Sequence, residues 1–566
     1  MTIASLNKPS FRGKLWALKD IQTEARGTDV PQAVIDVAAR RGIEDVAGWL
    51  KPSFKKFMPD PYRLKCMEQA VSLCREYIRA GRKIVVYGDY DVDGATSSAI
   101  LCRYFRMIDF ENWEYYIPDR LKEGYGPNAD AIKRLRDKGG ELLIVVDSGT
   151  TAFAPLQVAV EVGFEVIVID HHQAEERLPV DIVVNPKRLD EAGEFTYLCT
   201  AGLAFLFVVG LNRLLRDEGF FNDSGEPDLM CLLGIVALGT VADVVPLVDL
   251  NRAFVKIGLQ FIPMNTGLRA LMDATSETTL TAKSCGFVLG PCINAAGRID
   301  DTMLGTRLLL CEDETEAKDQ AARLVELNQE RRKLQDEVVS DALRLADIDD
   351  GNSVLVVSNE AYHPGLIGLA ASRLKDTFDR PAVVIGQDGK GSARSVEGFD
   401  VGSSILRAVA KGLLIKGGGH AMAGGLTIDP EKIDQLRSHL HEGMSQVARP
   451  PLVADLAMSC DEVSPELVDQ LKMVEPFGAA NPEPKVILFG GKVQSVISIK
   501  EKHVKVIISG SENEVDAIIW NGIGTAMGDA LLAAEGRRVD LYGKLGTNTF
   551  RNVTKVVVFP EDISFA

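Results

Sequence analysis

Three aspartates alternate with other residues in a short segment, Gly-Asp-Tyr-Asp-Val-Asp-Gly, that follows an apolar, β-rich run. They are Asp89, Asp91 and Asp93. Alternate residues of an extended chain point to the same side, so we expect the three carboxylates to converge. Carboxylates held close together repel one another unless cations neutralise them. The segment therefore predicts a metal site; taken alone, it is also compatible with a solvated acidic turn.

The same Asp-x-Asp-x-Asp-Gly spacing occurs in calcium loops of the EF-hand type, which are a second alternative. Such a loop needs a helix before it and a Glu at its twelfth position. Here a β-rich run precedes the segment, and Ile100 stands at the twelfth position when Asp89 is counted as the first. The sequence therefore argues against an EF-hand.

Acidic or imidazole side chains also follow two further apolar runs. One run is followed directly by Asp147, and the next by Asp170, His171 and His172. In a doubly wound sheet the carboxyl ends of neighbouring parallel strands open onto one crevice, where ligands bind. A single Asp at a strand end is usually a turn former or a helix N-cap. Three strand ends that each supply such side chains instead indicate one shared site.

A fourth acidic position lies inside an apolar stretch, residues 238–247, where Asp243 follows an alanine. Burying a lone carboxylate costs several kcal/mol unless it is paired or bound to a metal. Asp243 is therefore a further candidate ligand.

The elements that must position these residues alternate between β-rich runs and helical stretches from residue 83 onward. This alternation is typical of a parallel, doubly wound α/β sheet. The expected strands cover residues 84–87, 142–146, 166–169 and 182–184.

A long charged stretch and two further folding units follow. Residues 314–347 contain no Gly or Pro and predict a helix about 50 Å long at roughly 1.5 Å per residue. A second α/β lobe is expected next, with strands at 353–357 and 382–385 and a helix at 365–375. After the Arg-Pro-Pro at 449–451, β-rich runs broken by Gly, Asn and Asp predict a small barrel of the OB type.

Composition sets limits on the function. A chain of 566 residues exceeds what one hydrophobic core supports, so we expect several domains. A formal charge of -17 argues against a uniformly basic nucleic-acid coat but permits a local basic channel. The first residues lack the pattern of a secretory signal, no apolar stretch approaches a membrane span, and the nine cysteines form no CxxC pair. These features predict a cytoplasmic protein with reduced, structural cysteines.

The order of the motifs resembles that of the DHH phosphoesterase superfamily: Gly-Asp-Tyr-Asp-x-Asp-Gly, Asp-Ser-Gly, Asp-His-His and the Ala-Asp segment. Further segments resemble the exonucleases of that superfamily that act on single-stranded DNA; these are residues 117–120, 124–126, 294–298, 363–365, 418–420, 475–478 and 481–484. The resemblance runs from about residue 50 to the end of the chain. It implies an N-terminal lead-in (1–80), a DHH domain (81–313), a connecting helix (314–347), a DHHA1 domain (348–447) and an OB-like nucleic-acid-binding domain (448–566).

The resemblance also implies roles for the acidic residues. Two divalent ions would be held by Asp91, Asp93, Asp147, His171 and Asp243, with Asp147 between them and with Asp89 and Asp170 in or just behind this ligand set. A mixed carboxylate and imidazole set favours Mn²⁺, with Mg²⁺ as the alternative. His172 would orient the scissile phosphate or donate a proton, and Arg298 would contact that phosphate.

Residues 391–395, Gly-Ser-Ala-Arg-Ser, offer hydroxyls, backbone N–H groups and a guanidinium together, which predicts an anion pocket at Ser392 and Arg394. By resemblance this pocket would hold the 5′-phosphate of DNA, assisted by Arg120 and Arg373, and the glycines before His420 would let the strand approach closely. Plain turns are the alternative for such Gly-rich segments. In the OB-like domain, a basic and stacking path for bases is expected from Lys500, Lys502, Lys505 and Trp520.

The resemblance implies a 5′-to-3′ exonuclease specific for single-stranded DNA, working by a two-metal mechanism in DNA repair and recombination. A single-strand-binding protein and a DNA helicase are the implied partners. One alternative is a DHH phosphodiesterase of short oligonucleotides or cyclic dinucleotides, although the C-terminal β-rich region argues against it. The other is a catalytically inactive nucleic-acid-binding scaffold, against which the intact acidic residues argue.

Overall fold

The computed structural model describes residues 9–27, 29–119, 123–124, 126–299, 301–346, 353–444, 450–550 and 553–565, with 298, 299 and 550 described by their backbone alone. The strands are β1 (Trp16–Leu18), β2 (Ile84–Tyr87), β3 (Trp113–Tyr116), β4 (Leu142–Val146), β5 (Glu165–Ile169), β6 (Ile182–Val184), β7 (Leu355–Ser358), β8 (Ala382–Ile385), β9 (Lys390–Arg394), β10 (Lys416–His420), β11 (Ala423–Thr427), β12 (Leu452–Ala454), β13 (Leu456–Ser459), β14 (Val486–Ile499), β15 (His503–Ser509), β16 (Glu514–Ile519), β17 (Arg538–Phe550) and β18 (Val553–Phe565).

The helices are α1 (Gln32–Arg40), α2 (Val46–Leu50), α3 (Phe54–Phe57), α4 (Met67–Ala80), α5 (Val92–Met107), α6 (Ala129–Asp137), α7 (Phe153–Glu161), α8 (Thr200–Asp217), α9 (Leu233–Ala242), α10 (Asp249–Gly258), α11 (Thr266–Thr275), α12 (Ala282–Ser284), α13 (Gly290–Ile299), α14 (Leu304–Leu310), α15 (Glu314–Ala346), α16 (Ile367–Phe378), α17 (Val401–Ala410), α18 (Ile433–Met444), α19 (Pro465–Lys472) and α20 (Ala526–Leu532). A π-helical turn, Cys285–Leu289, lies between α12 and α13.

The chain forms two compact units. The parallel-sheet unit contains residues 47–329 together with the short segment 474–483. The barrel unit contains the described residues of 1–46, 330–473 and 484–566. Among the residues that the structure describes, no helix is both long enough and apolar enough to cross a membrane.

The parallel-sheet unit is built on five strands in the order β3-β2-β4-β5-β6, and every neighbouring pair is parallel. The inner strands β2 and β4 are buried along their whole length because helices cover both faces. Strands buried on both faces appear in the sequence as continuous runs of Val, Ile and Leu, and such runs predict both strands. The edge strand β3 (Trp113–Tyr116) is half-buried and mixes Glu with aromatic residues, so it carries no such run.

The strand order places the predicted acidic segments at one point of the sheet. After β2 the chain crosses to β3 on one side, and it then returns to β4 on the other side of β2. Ligands of open α/β sheets bind at the carboxyl ends of the strands where this reversal occurs. The segments that contain Asp89 and Asp147 follow β2 and β4 directly. The doubly wound α/β class predicted from the sequence is confirmed.

The barrel unit contains a mixed sheet and a ring of strands. The mixed sheet has the order β10-β11-β9-β8-β7, with β7 and β8 parallel and the other pairs antiparallel. In the ring, β14 pairs with β15, β15 with β16, β16 with β18, β18 with β17, and β17 with β14 again. This is the strand order of an OB barrel, with α20 between its third and fourth strands.

Helix α15 (Glu314–Ala346) agrees with the predicted long helix within the described residues, since residue 347 lies outside them. Its polar composition explains why it extends so far, because only part of each turn is buried. The predicted helix at 365–375 is present as α16 (Ile367–Phe378), and the strand at 382–385 as β8.

Helix α5 begins very close to the end of β2. A Cβ atom at Gly94, in the first turn of α5, would lie 2.5 Å from the carbonyl oxygen of Asp89. No L side chain fits at that distance without moving the turn. At Gly202, in the first turn of α8, the nearest atoms would be side-chain carbons at 3.5 Å, which is ordinary contact.

Gly94→Ala is therefore expected to destabilise the protein by roughly 1–3 kcal/mol through overpacking. The matched control Gly202→Ala should instead raise the unfolding free energy by roughly 0.5–1 kcal/mol, because Ala is the better helix former. Denaturant unfolding of both variants tests this. Equal effects of the two substitutions would contradict the close approach at Gly94.

Candidate metal centre

The turn between β2 and α5 places three carboxylates at the edge of the sheet. Asp91 is the N-cap of α5, and its side chain accepts a hydrogen bond from the Gly94 backbone N–H at 3.1 Å. Asp89 and Asp93 are almost fully buried, with 1% and 2% of their surface exposed. The cap fixes the start of the helix and with it the backbone of Asp91 and Asp93.

Asp147 follows β4 in an unusual backbone conformation, with a φ of 60°. Asp is among the residues that tolerate this left-handed region, but the conformation is uncommon outside glycine. Its backbone N–H donates to the Ile169 carbonyl at 3.1 Å, and its Oδ1 accepts from the Thr200 hydroxyl at 2.9 Å. The turn thus directs a buried carboxylate, 2% exposed, toward the residues that follow β2.

The N-terminus of α8 holds Asp93 from the opposite side. The backbone N–H groups of Thr200 and Ala201 donate to its two carboxylate oxygens at 2.7 Å and 2.8 Å. The first N–H groups of a helix have no partner within the helix and carry partial positive charge, so they stabilise an anion. Thr200 and Ala201 are not among the residues predicted from the sequence. The only available signal was a Thr at the start of an apolar helical stretch.

His171 completes the cluster. Its Nε2 lies 3.5 Å from Asp243 Oδ2, 3.7 Å from Asp147 Oδ1 and 3.8 Å from Asp93 Oδ2. These separations are too long for good hydrogen bonds. Such separations are expected for metal-ligating atoms that surround one shared point.

Three groups of potential ligands can be defined among the described residues, each with ligand atoms that all lie within 4.8 Å of one another. One group contains Asp93, His171 and Asp243, and another contains Asp89, Asp91 and Asp147. The third contains Asp147, His171 and His172. Asp147 is therefore shared by two of these groups, and Asp89 belongs to one of them.

Asp170 is used differently from the other acidic residues. One carboxylate oxygen accepts the Thr150 N–H at 3.1 Å, and the other lies 2.7 Å from His172 Nδ1 and accepts the His171 N–H at 2.8 Å. Asn185 donates to both Thr150 Oγ1 and the His172 carbonyl at 2.8 Å. This network fixes the His172 ring, whose side chain is 49% exposed. Asp170 is therefore a support for the two histidines.

Burial and the mutual repulsion of the carboxylates shift the pKa values of several residues in this cluster. Burial, together with repulsion from Asp93 and Asp91, raises the pKa of Asp147 well above its ordinary value. The same causes raise the pKa of Asp243 to about 9. Burial lowers the pKa of His171. For Asp170, burial acts in the opposite direction, but the bonds from His172 and Thr150 hold its pKa well below the ordinary value.

The donor set fits divalent cations. Asp243 Oδ2 and His171 Nδ1 are buried and have no hydrogen-bond partner among the described residues. A carboxylate in this position is stabilised either by a proton or by a metal ion. Carboxylate oxygens with one neutral imidazole suit Mn²⁺, and the oxygen-rich group of Asp89, Asp91 and Asp147 also suits Mg²⁺.

Two predicted arginines cannot be placed relative to this cluster. Arg120 lies outside the described residues, as does the side chain of Arg298. On the helix that contains position 298, Asn294 Oδ1 accepts the Val92 backbone N–H at 3.1 Å, which links α13 to the turn between the candidate ligands Asp91 and Asp93. This role of Asn294 is not among those predicted from the sequence.

In the barrel unit, Ser392 and Arg394 lie together on β9. Arg394 Nη1 donates to Ser392 Oγ at 3.1 Å, and a Cβ atom at Gly368 would lie 3.2 Å from both side chains. Burial lowers the pKa of Arg394. The missing side chain at Gly368 thus leaves the guanidinium and hydroxyl beside the first turn of α16, whose N–H groups favour anions.

Two further predicted residues of this unit, Arg373 and His420, lie on exposed parts of the chain. Arg373 is exposed and lies five residues after Gly368 on α16, roughly 140° around the helix, so it points away from the Ser392 and Arg394 pair. His420 is exposed at the end of the edge strand β10, after Gly419 with a φ of 152°.

In the ring of strands, Trp520 is 60% exposed and its ring contacts that of His503. Lys505 instead forms an ion pair with Asp516 at 2.7 Å.

Three domain families match the chain. They are the DHH family N-terminal domain over residues 83–240, the DHHA1 domain over 351–446 and the RecJ OB domain over 454–562.

Among known proteins, the chain is 33% identical to the single-stranded-DNA-specific exonuclease RecJ of Salmonella typhimurium over 96% of this chain and 97% of that protein. It is also 33% identical to RecJ of Bacillus subtilis, of which it spans 64% of the length. The crystal structure of Thermus thermophilus RecJ with Mn²⁺ matches with a TM-score of 0.79 at 28% identity, covering 97% of this chain and 79% of that one. The Mg²⁺ complex of the same protein matches with a TM-score of 0.74 at 26% identity, covering 97% and 78%.

The raised pKa of Asp243 predicts a pH-dependent stability for the metal-free protein. Between its unfolded pKa, about 4, and its folded pKa, about 9, the folded state holds a proton that the unfolded chain has released. The unfolding free energy should therefore fall as pH rises through this window, by up to about 1.4 kcal/mol per pH unit for this group. Asp243→Asn removes this contribution, so its stability should fall less steeply.

Denaturant unfolding in EDTA at about pH 6 and about pH 8 measures this difference. Asp223→Asn, which changes an exposed carboxylate of the same unit, is the matched control and should retain the wild-type slope. Identical slopes for wild type and Asp243→Asn would show that Asp243 is not protonated in the folded, metal-free protein.

Proposed function

The chain belongs to the RecJ family of single-stranded-DNA-specific exonucleases, and we propose on this basis that it hydrolyses single-stranded DNA from a free end in the 5′-to-3′ direction. The observation that carries the proposal is Asp147, which is shared by two groups of side chains that could hold a metal ion at the carboxyl edge of a parallel sheet. A two-ion site of this kind is a general solution for phosphodiester hydrolysis.

Asp91, Asp93, Asp147, His171 and Asp243 are proposed to hold two divalent ions, Mn²⁺ or Mg²⁺, with Asp147 as the shared ligand and Asp89 beside Asp91. Similar crystal structures contain each of these ions. Bound there, the ions supply an activated water and neutralise charge on the attacking and leaving oxygens. The N–H groups of Thr200 and Ala201 hold and orient the Asp93 carboxylate for this task.

His172 is proposed to act on the substrate rather than on an ion. Burial acts in the opposite direction, but the hydrogen bond to Asp170 raises the pKa of His172. A half-exposed imidazole whose pKa is raised in this way can donate a proton to a phosphate oxygen or to a leaving oxygen. Arg298 is proposed to hold the same phosphate through its guanidinium.

The pair of Ser392 and Arg394 is proposed to bind the 5′-phosphate. It combines a partly buried guanidinium, a hydroxyl and a helix N-terminus, and each of these stabilises an anion. Arg120, Arg373 and His420 are proposed to assist along the strand. The exposed position of Arg373 suits a contact with a backbone phosphate better than one inside the pocket.

The domain bounds remain as proposed from the sequence: 1–80, 81–313, 314–347, 348–447 and 448–566. The protein is proposed to act in the cytoplasm in DNA repair and recombination, alongside a helicase that opens duplexes and a single-strand-binding protein. The C-terminal ring of strands is proposed to bind nucleic acid, with Trp520 rather than the paired Lys505 as its main contact.

With Mn²⁺ present, the protein is expected to digest a single-stranded DNA oligonucleotide and to leave duplex DNA and RNA largely intact. A 5′ label should appear at once in mononucleotides while a 3′ label stays in shortening strands. EDTA should abolish the reaction, and Asp147→Ala should reduce it by several orders of magnitude without loss of helical circular dichroism. Early release of the 3′ label would reverse the polarity, and wild-type turnover by Asp147→Ala would defeat the two-ion assignment.

Arg394→Ala is expected to lower kcat/KM on 5′-phosphorylated strands at least about tenfold more than on 5′-hydroxyl strands, since a hydrogen bond to a charged group contributes about 1.5–3 kcal/mol. Arg407→Ala, which removes an exposed arginine of the same unit, is the control and should affect both strands equally. Equal losses on the two strands in Arg394→Ala would assign this residue to general backbone binding.

A further inference from the structure

Val244, directly after the candidate ligand Asp243, has a conformation that its side chain disfavours. It ends helix α9 with a φ of 60°, and its N–H donates to the Val241 carbonyl at 3.2 Å. Helices often end in this left-handed conformation, but the residue there is usually Gly or Asn. For a β-branched residue the conformation is a true outlier.

Packing does not explain why a valine is present at this position. The Val244 side chain is 70% exposed, so it adds little buried apolar surface to the folded protein. A glycine would form the same turn with less strain. Strained residues of this kind are concentrated at functional sites, where the strain can be part of the mechanism.

The neighbouring π-helical turn, Cys285–Leu289, exposes a second apolar side chain. Phe287 is 71% exposed. The turn packs against the end of α9, since a Cβ atom at Gly286 would lie 3.4 Å from Val241 Cγ1, and one at Gly290 would lie 3.4 Å from Ala242 Cβ. π-Helical turns are rare and occur frequently at functional sites.

Both side chains belong to segments that support the metal centre. Asp243, beside Val244, supplies a donor atom 3.5 Å from His171 Nε2. The helix that continues the π-helical turn contains Asn294, which accepts the Val92 N–H next to Asp91 and Asp93. Val244 and Phe287 are thus exposed apolar groups on the two segments that also carry Asp243 and Asn294.

We propose that Val244 and Phe287 form an apolar rim of the metal centre that contacts the base and deoxyribose of the nucleotide being cleaved. This inference rests on the proposed nuclease function. Stacking of a base on an aromatic ring tolerates any sequence, because every base has a π-face. A base inside a duplex has both faces covered by its neighbours, so the rim favours unpaired nucleotides.

The contact with the base is tested by changing the enzyme and the substrate together. Wild type and Phe287→Ala are compared on normal single-stranded DNA and on strands with tetrahydrofuran abasic residues near both ends. Each single change is expected to lower kcat/KM roughly tenfold, as loss of one stacked base does. The two changes together should cost little more than either alone, and Phe287→Tyr, which keeps the ring, should retain most activity.

Additive losses would overturn the contact with the base, since a purely structural effect of Phe287→Ala would not depend on whether the substrate carries a base. Met264→Ala changes another exposed apolar residue of the same unit and is the control for general surface effects. It should leave kcat/KM unchanged on both substrates.

The strain at Val244 gives a second, independent readout. Val244→Gly is expected to raise the melting temperature of the metal-free protein while raising KM for DNA, with the affinity for Mn²⁺ in titration calorimetry unchanged. A lower melting temperature, or an unchanged KM, would overturn the role of Val244. If wild type degrades no DNA at all, the proposed function fails, whereas an active wild type with additive losses defeats only the rim.

Discussion

Asp89, Asp93 and Asp147 are each at most 2% exposed and lie at one edge of a sheet, so repulsion among their charges is the energetic constraint that the surrounding structure must offset. Burial removes the water that would screen them. The raised pKa values of Asp147 and Asp243 express the same cost, because a buried carboxylate without a compensating charge favours its protonated form. Binding of the proposed ions at this site would therefore be coupled to fold stability.

The scaffold offsets part of this repulsion with fixed backbone dipoles. Two N–H groups at the N-terminus of α8 bind the Asp93 carboxylate, and the N-cap bond of Asp91 fixes the start of α5. These groups are part of regular helices, so they cannot reorient as a side chain would. The positive φ of Asp147 and of Val244 shows that the backbone is also strained where it borders the site.

The barrel unit contains a cationic pair of side chains, in contrast to the acidic cluster of the parallel-sheet unit. Around Ser392 and Arg394, a guanidinium, a hydroxyl and the space left by Gly368 are groups that suit an anion instead of a cation, in line with the proposed phosphate pocket. An enzyme that hydrolyses a polyanion from its end needs both kinds of site: cations for the bond that breaks and fixed donors for the phosphate that marks the end. In the sequence, helix α15 separates the acidic cluster from Ser392 and Arg394.

The sequence by itself determined the strands β2, β4 and β6, the long helix, the fold class and the identity of the acidic ligand candidates. Continuous apolar runs specify buried parallel strands, and a carboxylate at a strand end is visible as a break in such a run. The tertiary structure alone decided how these residues are used. It separated Asp170, which supports His172, from Asp89, which joins the ligand groups, although both are strand-end aspartates in the sequence. It also supplied Thr200, Ala201, Asn185 and Asn294, which act through long-range hydrogen bonds and leave no periodic signal. Such contacts depend on which strand ends and helix termini meet in space, and the local pattern of residues does not encode that geometry.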